Sequence, residues 1–195
     1  MKKFVLFAVL TIASAFQSAA LGTTANRHHH HMHTGRTAPQ ILIACYSQTG
    51  NTRHVAHQIK KAVGGVLINI VPVNAYPADL KECVAKVRKE NSEKIKPELK
   101  KLPDFSRYDI IFIGTPNWCG TMAPPVASFI ANAKLQGKKV ILFVTHGKGG
   151  LQNCEKDFKA MLPGVAIGKT GAFPGKDVKK LHKEIHSWAR AALLE

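Results

Sequence analysis

From residue 40 onward the chain alternates short apolar, β-branched runs with segments patterned for helix, and this alternation constrains the fold more than any other feature. Ile41 to Tyr46 reads as a first strand, followed by a helix over Thr52 to Val63 with Val55, Ile59 and Ala62 on one face. Val66 to Val73 is a second β-branched run. Tyr76-Pro77-Ala78-Asp79 opens a second helix, with Asp79 placed to cap it. Residues 81–101 hold eight Lys/Arg and four Glu and read as a solvated helix and loop. Asp109 to Gly114 is a third strand, and Pro124-Pro125 begins a helix through Ala133. Lys139 to Thr145 is a fourth strand, and Leu151, Cys154, Phe158 and Met161 mark a fourth helix. Val165 to Phe173 is a weaker fifth strand, interrupted by Gly168 and Gly171. A last helix from about Asp177 to Leu194 carries Val178, Leu181, Ile185, Trp188 and Ala192 on one face. Five strands alternating with five helices, joined by right-handed crossovers, give an α/β fold with a parallel sheet covered on both faces. No internal repeat or second folded domain is visible.

In such sheets ligands bind beyond the carboxyl ends of the strands, so the loops after strands one, three and four hold the candidate site. The first is Ser47-Gln48-Thr49-Gly50-Asn51-Thr52. It offers hydroxyls, amides and a Gly where a helix start leaves backbone N–H groups unpaired, which suits a phosphate; an N-capped Gly turn is the plain alternative. The second, Thr115 to Pro124, contains Pro116, Asn117, Trp118, Cys119 and Gly120. A Trp at the mouth of a sheet can stack on a flat aromatic ligand or pack on the core edge. The third, Thr145-His146-Gly147-Lys148-Gly149-Gly150, has three glycines that let backbone approach a ligand or simply form a turn. Other phosphate motifs fail. No G-x-G-x-x-G follows the first strand, and Gly164 lies one residue too close to Gly168-Lys169-Thr170 for a P-loop. A Cys-x5-Arg loop from Cys45 would require Arg where Asn51 stands.

The segment before residue 40 reads differently. Lys2 and Lys3 precede a thirteen-residue apolar stretch, Phe4 to Phe16, too short for a membrane span of roughly 18 residues. Small residues follow, with Ser18 and Ala20 suited to cleavage after Ala20, and Ala13 to the alternative cleavage after Ala15. Residues 1–20 are thus expected to be a signal peptide, placing the protein in the periplasm or outside the cell with no transmembrane segment after cleavage. Residues 21–39 form a His-rich leader in which His28, His29, His30, His31 and His33 could bind metal or serve as an idle linker. Export permits disulfides among Cys45, Cys83, Cys119 and Cys154, although their spacing matches no zinc or CxxC pattern. Cys45, inside an apolar run, is expected to be a buried small hydrophobe. After residue 20 the chain carries 26 Lys/Arg against 12 Asp/Glu, a balance of +14.

Taken in order, Ser-x-Thr-Gly-Asn-Thr after the first strand, Pro-Asn-Trp-Cys-Gly after the third and the Gly-rich loop after the fourth resemble the flavodoxin family over about residues 40–195. The run from Thr115 to Ile130 and Tyr76-Pro77-Ala78-Asp79 resemble its flavodoxin-like oxidoreductase branch, without the long-chain insertion in the last strand. The resemblance implies a three-layer α/β/α sandwich with strand order 2-1-3-4-5 and non-covalent FMN. It implies that Ser47, Gln48, Thr49, Gly50, Asn51 and Thr52 hold the phosphate. Pro116, Asn117, Trp118, Cys119 and Gly120 would flank the isoalloxazine, with Trp118 stacking and the peptide near Gly120 bonding flavin N5. Thr145, His146, Gly147 and Lys148 would line the other edge. No side chain is required as acid or base, because the flavin carries the redox step.

Two features depart from the family. Electron-shuttling flavodoxins are acidic, whereas this chain is basic, so an acidic redox partner or a membrane surface is favoured over a basic reductase. Positive surroundings should also stabilise reduced, anionic flavin. The third loop lacks a second stacking aromatic; either His146 substitutes or that face is open to a quinone-like substrate. The expected function is therefore electron transfer or quinone-reductase-type oxidoreduction outside the cytoplasm. The alternatives are a basic surface-binding module or metal binding by the His cluster. No specific nucleic-acid partner is expected, since the basic residues are spread along the chain with a local excess only at 81–101.

Overall fold

The computed structural model describes residues 38–194. The expected signal peptide, His28 to His33 and nearly all of the leader lie outside the described residues. Twelve elements follow in order: β1 (Ile41–Cys45), α1 (Asn51–Val63), β2 (Val66–Asn69), α2 (Leu80–Ser92), β3 (Ile110–Trp118), β4 (Thr121–Met122), α3 (Pro124–Asn132), β5 (Lys139–His146), α4 (Cys154–Ala160), β6 (Ala166–Ile167), β7 (Gly171–Pro174) and α5 (His182–Leu194).

The sheet runs β2-β1-β3-β5, and both β6 and β7 then pair with β5 in parallel. The expected 2-1-3-4-5 order holds, but seven strands form it rather than five. The expected fifth strand is split, with β6 beside Lys139 and Val140 and β7 beside Phe143 to His146. At Gly171 the Trp188 ring from α5 comes so close that a Cβ would lie 2.6 Å from it. The seventh strand, β4, is a two-residue antiparallel return of β3.

Other boundaries shift for local reasons. The second strand ends at Asn69, not Val73, because Pro72 forms a bridge with Leu99 and Val71 and Val73 bond Lys100 and Glu98. The fourth helix starts at Cys154, after tight turns from Gly147. The last starts at His182, because Asp177 and Lys180 bond carbonyls three residues back, at Pro174 and Asp177, in place of a regular α-helical ladder. Asp79 caps α2 as expected, its carboxylate accepting from Glu82 N at 2.9 Å.

Period-two alternation divides each strand between two cores. Leu42, Ala44, Ile111, Ile113, Val140, Leu142 and Val144 face the side covered by α2, α3 and α4, where Phe129 and Phe158 are fully buried. Ile41, Ile43, Cys45, Ile110, Phe112, Ile141 and Phe143 face α1 and α5, packed under Ile59 and Ile185. Both faces being apolar explains why the central strands read as unbroken hydrophobic runs. Gly114 sits where β1, β3 and β5 meet, and a Cβ there would come within 2.2 Å of the Phe143 ring. The four cysteines are free; Cys45 and Cys154 are fully buried, and burial pushes each thiol up to about 12. No helix among the described residues is long and apolar enough to cross a membrane.

Candidate functional site

β1, β3 and β5 end side by side, so the loops that follow them gather at one edge of the sheet. The first loop leaves β1 through buried Tyr46, whose N–H still bonds Gly114 O at 3.1 Å. It enters α1 at Gly50, which has φ +90° and gives the helix no side-chain cap. A residue with Cβ would resist that left-handed seat. The N-terminal N–H groups of α1 therefore face the loop without a capping side chain. The Ser47 hydroxyl is buried there and makes no hydrogen bond. A buried polar atom left unpaired costs free energy unless a ligand or water satisfies it. With the uncapped helix start, it is a donor set suited to a phosphate.

The remaining first-loop residues divide by role. Thr52 is buried, and its hydroxyl meets that of Thr145 at 2.7 Å, tying the first loop to the third. Asn51 packs near Gly175, where a Cβ would lie 3.0 Å from its side-chain nitrogen. Gly175 N in turn bonds His146 O at 2.8 Å. Gln48 turns towards the segment before α2, accepting from Tyr46 OH at 2.9 Å and donating to Pro77 O at 3.3 Å. Thr49 is exposed.

The second loop is more regular than expected. β3 continues through Trp118 and returns as β4 through Cys119 (φ +53°) and Gly120 (φ +89°). Positive φ at both central residues marks a type I′ hairpin, the turn whose twist matches paired strands. Thr115 anchors its far side by accepting from Ala123 N at 3.0 Å. Asn117 is its hub. It donates to Gly150 O at 2.7 Å and Gln152 Oε1 at 3.0 Å, and accepts from Gly120 N at 3.1 Å. Gly120 O accepts from Asn153 N at 2.9 Å. Both backbone groups of Gly120 are thus engaged within the chain.

Trp118 is half-buried and packs edge-on against Tyr76 at 5.0 Å and Tyr46 at 5.2 Å between centroids. The Tyr76 hydroxyl donates to buried Glu90. Burial raises both tyrosine pKa values first; the Glu90 bond adds to it at Tyr76. In the third loop Thr145 is buried and His146 half-buried, its Nδ1 2.7 Å from Gly147 O, while Gly147 and Lys148 are exposed.

Between the second and third loops lies an open cavity of about 720 Å³. Asn117, Cys119 and Gly120 line one side and Gly147 and Gly149 another. Gln152 and, from α2, Arg88, Asn91 and Ser92 complete it. Those last four residues were not expected at the site. The only sequence signal for the α2 set is the i, i+3, i+4 spacing of polar residues at 88, 91 and 92, which also fits a solvated face. Pro116 is half-buried and Trp118 faces the tyrosines, so neither lines this cavity. Among the described residues no group of three or more His, Cys, Asp or Glu could hold a metal.

A parallel sheet with an uncapped, hydroxyl-rich first turn and two linked loops at its carboxyl edge defines a protein of the flavodoxin-like α/β class. A flavodoxin family profile matches residues 40–190, and the chain belongs to that family. Among solved structures it is similar to an inferred flavoprotein from Bacteroides eggerthii DSM 20697, with TM-score 0.71 and 27% identity, covering 81% of this chain and 100% of that one. A second inferred flavoprotein, from Bacteroides uniformis ATCC 8492, has TM-score 0.66 and 31% identity, with coverage of 75% and 99%. A flavoprotein in complex with FMN, from Lactobacillus acidophilus NCFM, has TM-score 0.62 and 25% identity, with coverage of 73% and 98%. No curated protein matches the chain.

Proposed function

We propose that this chain binds FMN without a covalent bond and passes electrons through it outside the cytoplasm. The observation that carries the reading is the buried, unpartnered Ser47 hydroxyl beside the uncapped start of α1. The FMN phosphate would be held there by Ser47, by backbone N–H groups around Gly50 and Asn51, and by the Thr49 hydroxyl at the exposed rim. The ring system would lie along the cavity between the hairpin at Cys119-Gly120 and the loop at Gly147. When bound, the flavin supplies the redox chemistry, and the chain supplies orientation and a positive field. FMN in the complex from Lactobacillus acidophilus supports the choice of cofactor.

The +14 balance after residue 20 favours an acidic protein as the redox partner, and a quinone-like small molecule is the alternative. Export rests on the Lys2-Lys3 start and the short apolar stretch that follows. The test is equilibrium dialysis of purified protein against FMN and against riboflavin, followed by an absorption spectrum. Retained flavin bands, with riboflavin held at least about tenfold more weakly (about 1.4 kcal/mol), support a phosphate-anchored site. Equal retention of both, or of neither, would overturn it. A screen of quinones and acidic electron carriers then separates reductase from carrier.

A further inference from the structure

Of the four free thiols, Cys45 and Cys154 are sealed in the two cores. The other two come together beside the cofactor cavity. Cys83, in the first turn of α2, and Cys119, at the tip of the β3–β4 hairpin, line one small pocket of about 210 Å³ with Val87 and Trp118. They differ in access, Cys119 being exposed and Cys83 only 8% exposed. Cys119 also lines the larger cavity, so one thiol faces both spaces. It occupies a left-handed turn position that Asn, Asp or Gly ordinarily takes.

We propose that Cys83 and Cys119 form a thiol–disulfide exchange site for small disulfides of the glutathione class. Exposed Cys119 is the attacking thiol. Its thiolate displaces one glutathione thiolate from glutathione disulfide and leaves Cys119 joined to the other half. Cys83, as a thiolate, then attacks the Cys119 sulfur and expels the second glutathione. Two protein thiols lose two electrons and two protons, and one glutathione disulfide becomes two glutathione thiols. The product is a Cys83–Cys119 bond that straps the hairpin to α2. Burial raises the Cys83 pKa, so closure, which needs the Cys83 thiolate, quickens as pH rises. The exchange needs no flavin.

The test uses full-length, reduced, FMN-free protein treated with glutathione disulfide, followed by intact mass and peptide mapping. Wild type should finish with a Cys83–Cys119 cross-link and no bound glutathione. Cys83→Ser and Cys83→Ala should each retain glutathione on Cys119, and Cys119→Ser should react at least tenfold more slowly. Wild type that holds glutathione as persistently as Cys83→Ser would overturn the proposal. So would cross-links through Cys45 or Cys154, or no reaction at all. Transient glutathione on wild type, followed by its release, supports the order of attack even where a variant fails to fold.

Discussion

At the β1–α1 turn Ser47 keeps a buried hydroxyl with no partner, whereas at the β3–β4 hairpin Gly120 has both its N–H and its C=O engaged. The first loop is anchored from beneath by the buried Thr52–Thr145 pair and leaves its donors free. The second and third loops are anchored to each other through Asn117, and the 720 Å³ cavity between them is open. One end of the site is thus arranged for a charged group before any ligand arrives. At the other, the hairpin and the third loop spend polar groups on each other, and a ring held there must rely on shape, on Arg88 and Asn91 from α2, or on exchanging partners with Asn117. A preformed anion anchor and an adjustable ring site separate affinity from orientation.

The largest effect should come from Trp118, which belongs structurally to neither loop's polar network. Trp118→Ala removes an indole packed against Tyr46 and Tyr76 and should cost about 2–4 kcal/mol of stability, less than a fully buried Trp would. Thermal melts of FMN-free protein check it. A variant as stable as wild type that loses only FMN would assign the indole to the ligand instead of to the core.

Thr52→Val comes next. It keeps the shape but leaves the Thr145 hydroxyl buried and unpaired, costing about 1–3 kcal/mol. Denaturant melts of FMN-free protein should show the loss. The double variant with Thr145→Val should recover part of it, since two apolar groups replace a satisfied pair. No recovery would mean that the two hydroxyls do not stabilise as a pair.

Ser47→Ala should do the opposite. Its hydroxyl makes no bond within the chain, so stability should hold or rise slightly. FMN affinity should fall about tenfold, about 1.4 kcal/mol, while riboflavin affinity barely changes. Equal losses for the two flavins would remove Ser47 from the phosphate site and erase the contrast between the two ends.

The sequence made the first end easier to read than the second. Apolar runs located β1, β3 and β5, and Ser47 to Thr52 lay between a strand and a helix, where local chemistry alone suggests an anion. The hairpin at Cys119-Gly120 was hidden, because Cys carries no local signal for positive φ and the return strand is only two residues long. Trp118 resting on Tyr46 and Tyr76 is a contact between residues remote in the chain, set by packing on β1 and before α2. Arg88, Asn91 and Ser92 looked like a solvated face, and only the position of α2 beside the hairpin brings them to the cavity. The split between β6 and β7 was signalled by Gly168 and Gly171, but its partner, Trp188, was not.

The smallest effect concerns the support behind the first loop. His54 lies in the first turn of α1, with its ring 5.3 Å from that of His182 at the start of α5 and its Nε2 buried without a partner. Burial lowers its pKa first, and His182, Lys179, Lys61 and His57 lower it further; no acidic group offsets these. The unfolded chain, with an ordinary His near 6.5, takes up the proton before the folded one does. The stability tied to neutral His54 is therefore complete above about pH 7.5 and is lost as pH falls through 6.5 towards the lower folded value. Melts of FMN-free protein should give a lower Tm at pH 5.5 than at pH 7.5, and His54→Gln, which cannot charge there, should narrow the gap. An unchanged gap in the variant would place the acid sensitivity in groups other than the His54–His182 pair.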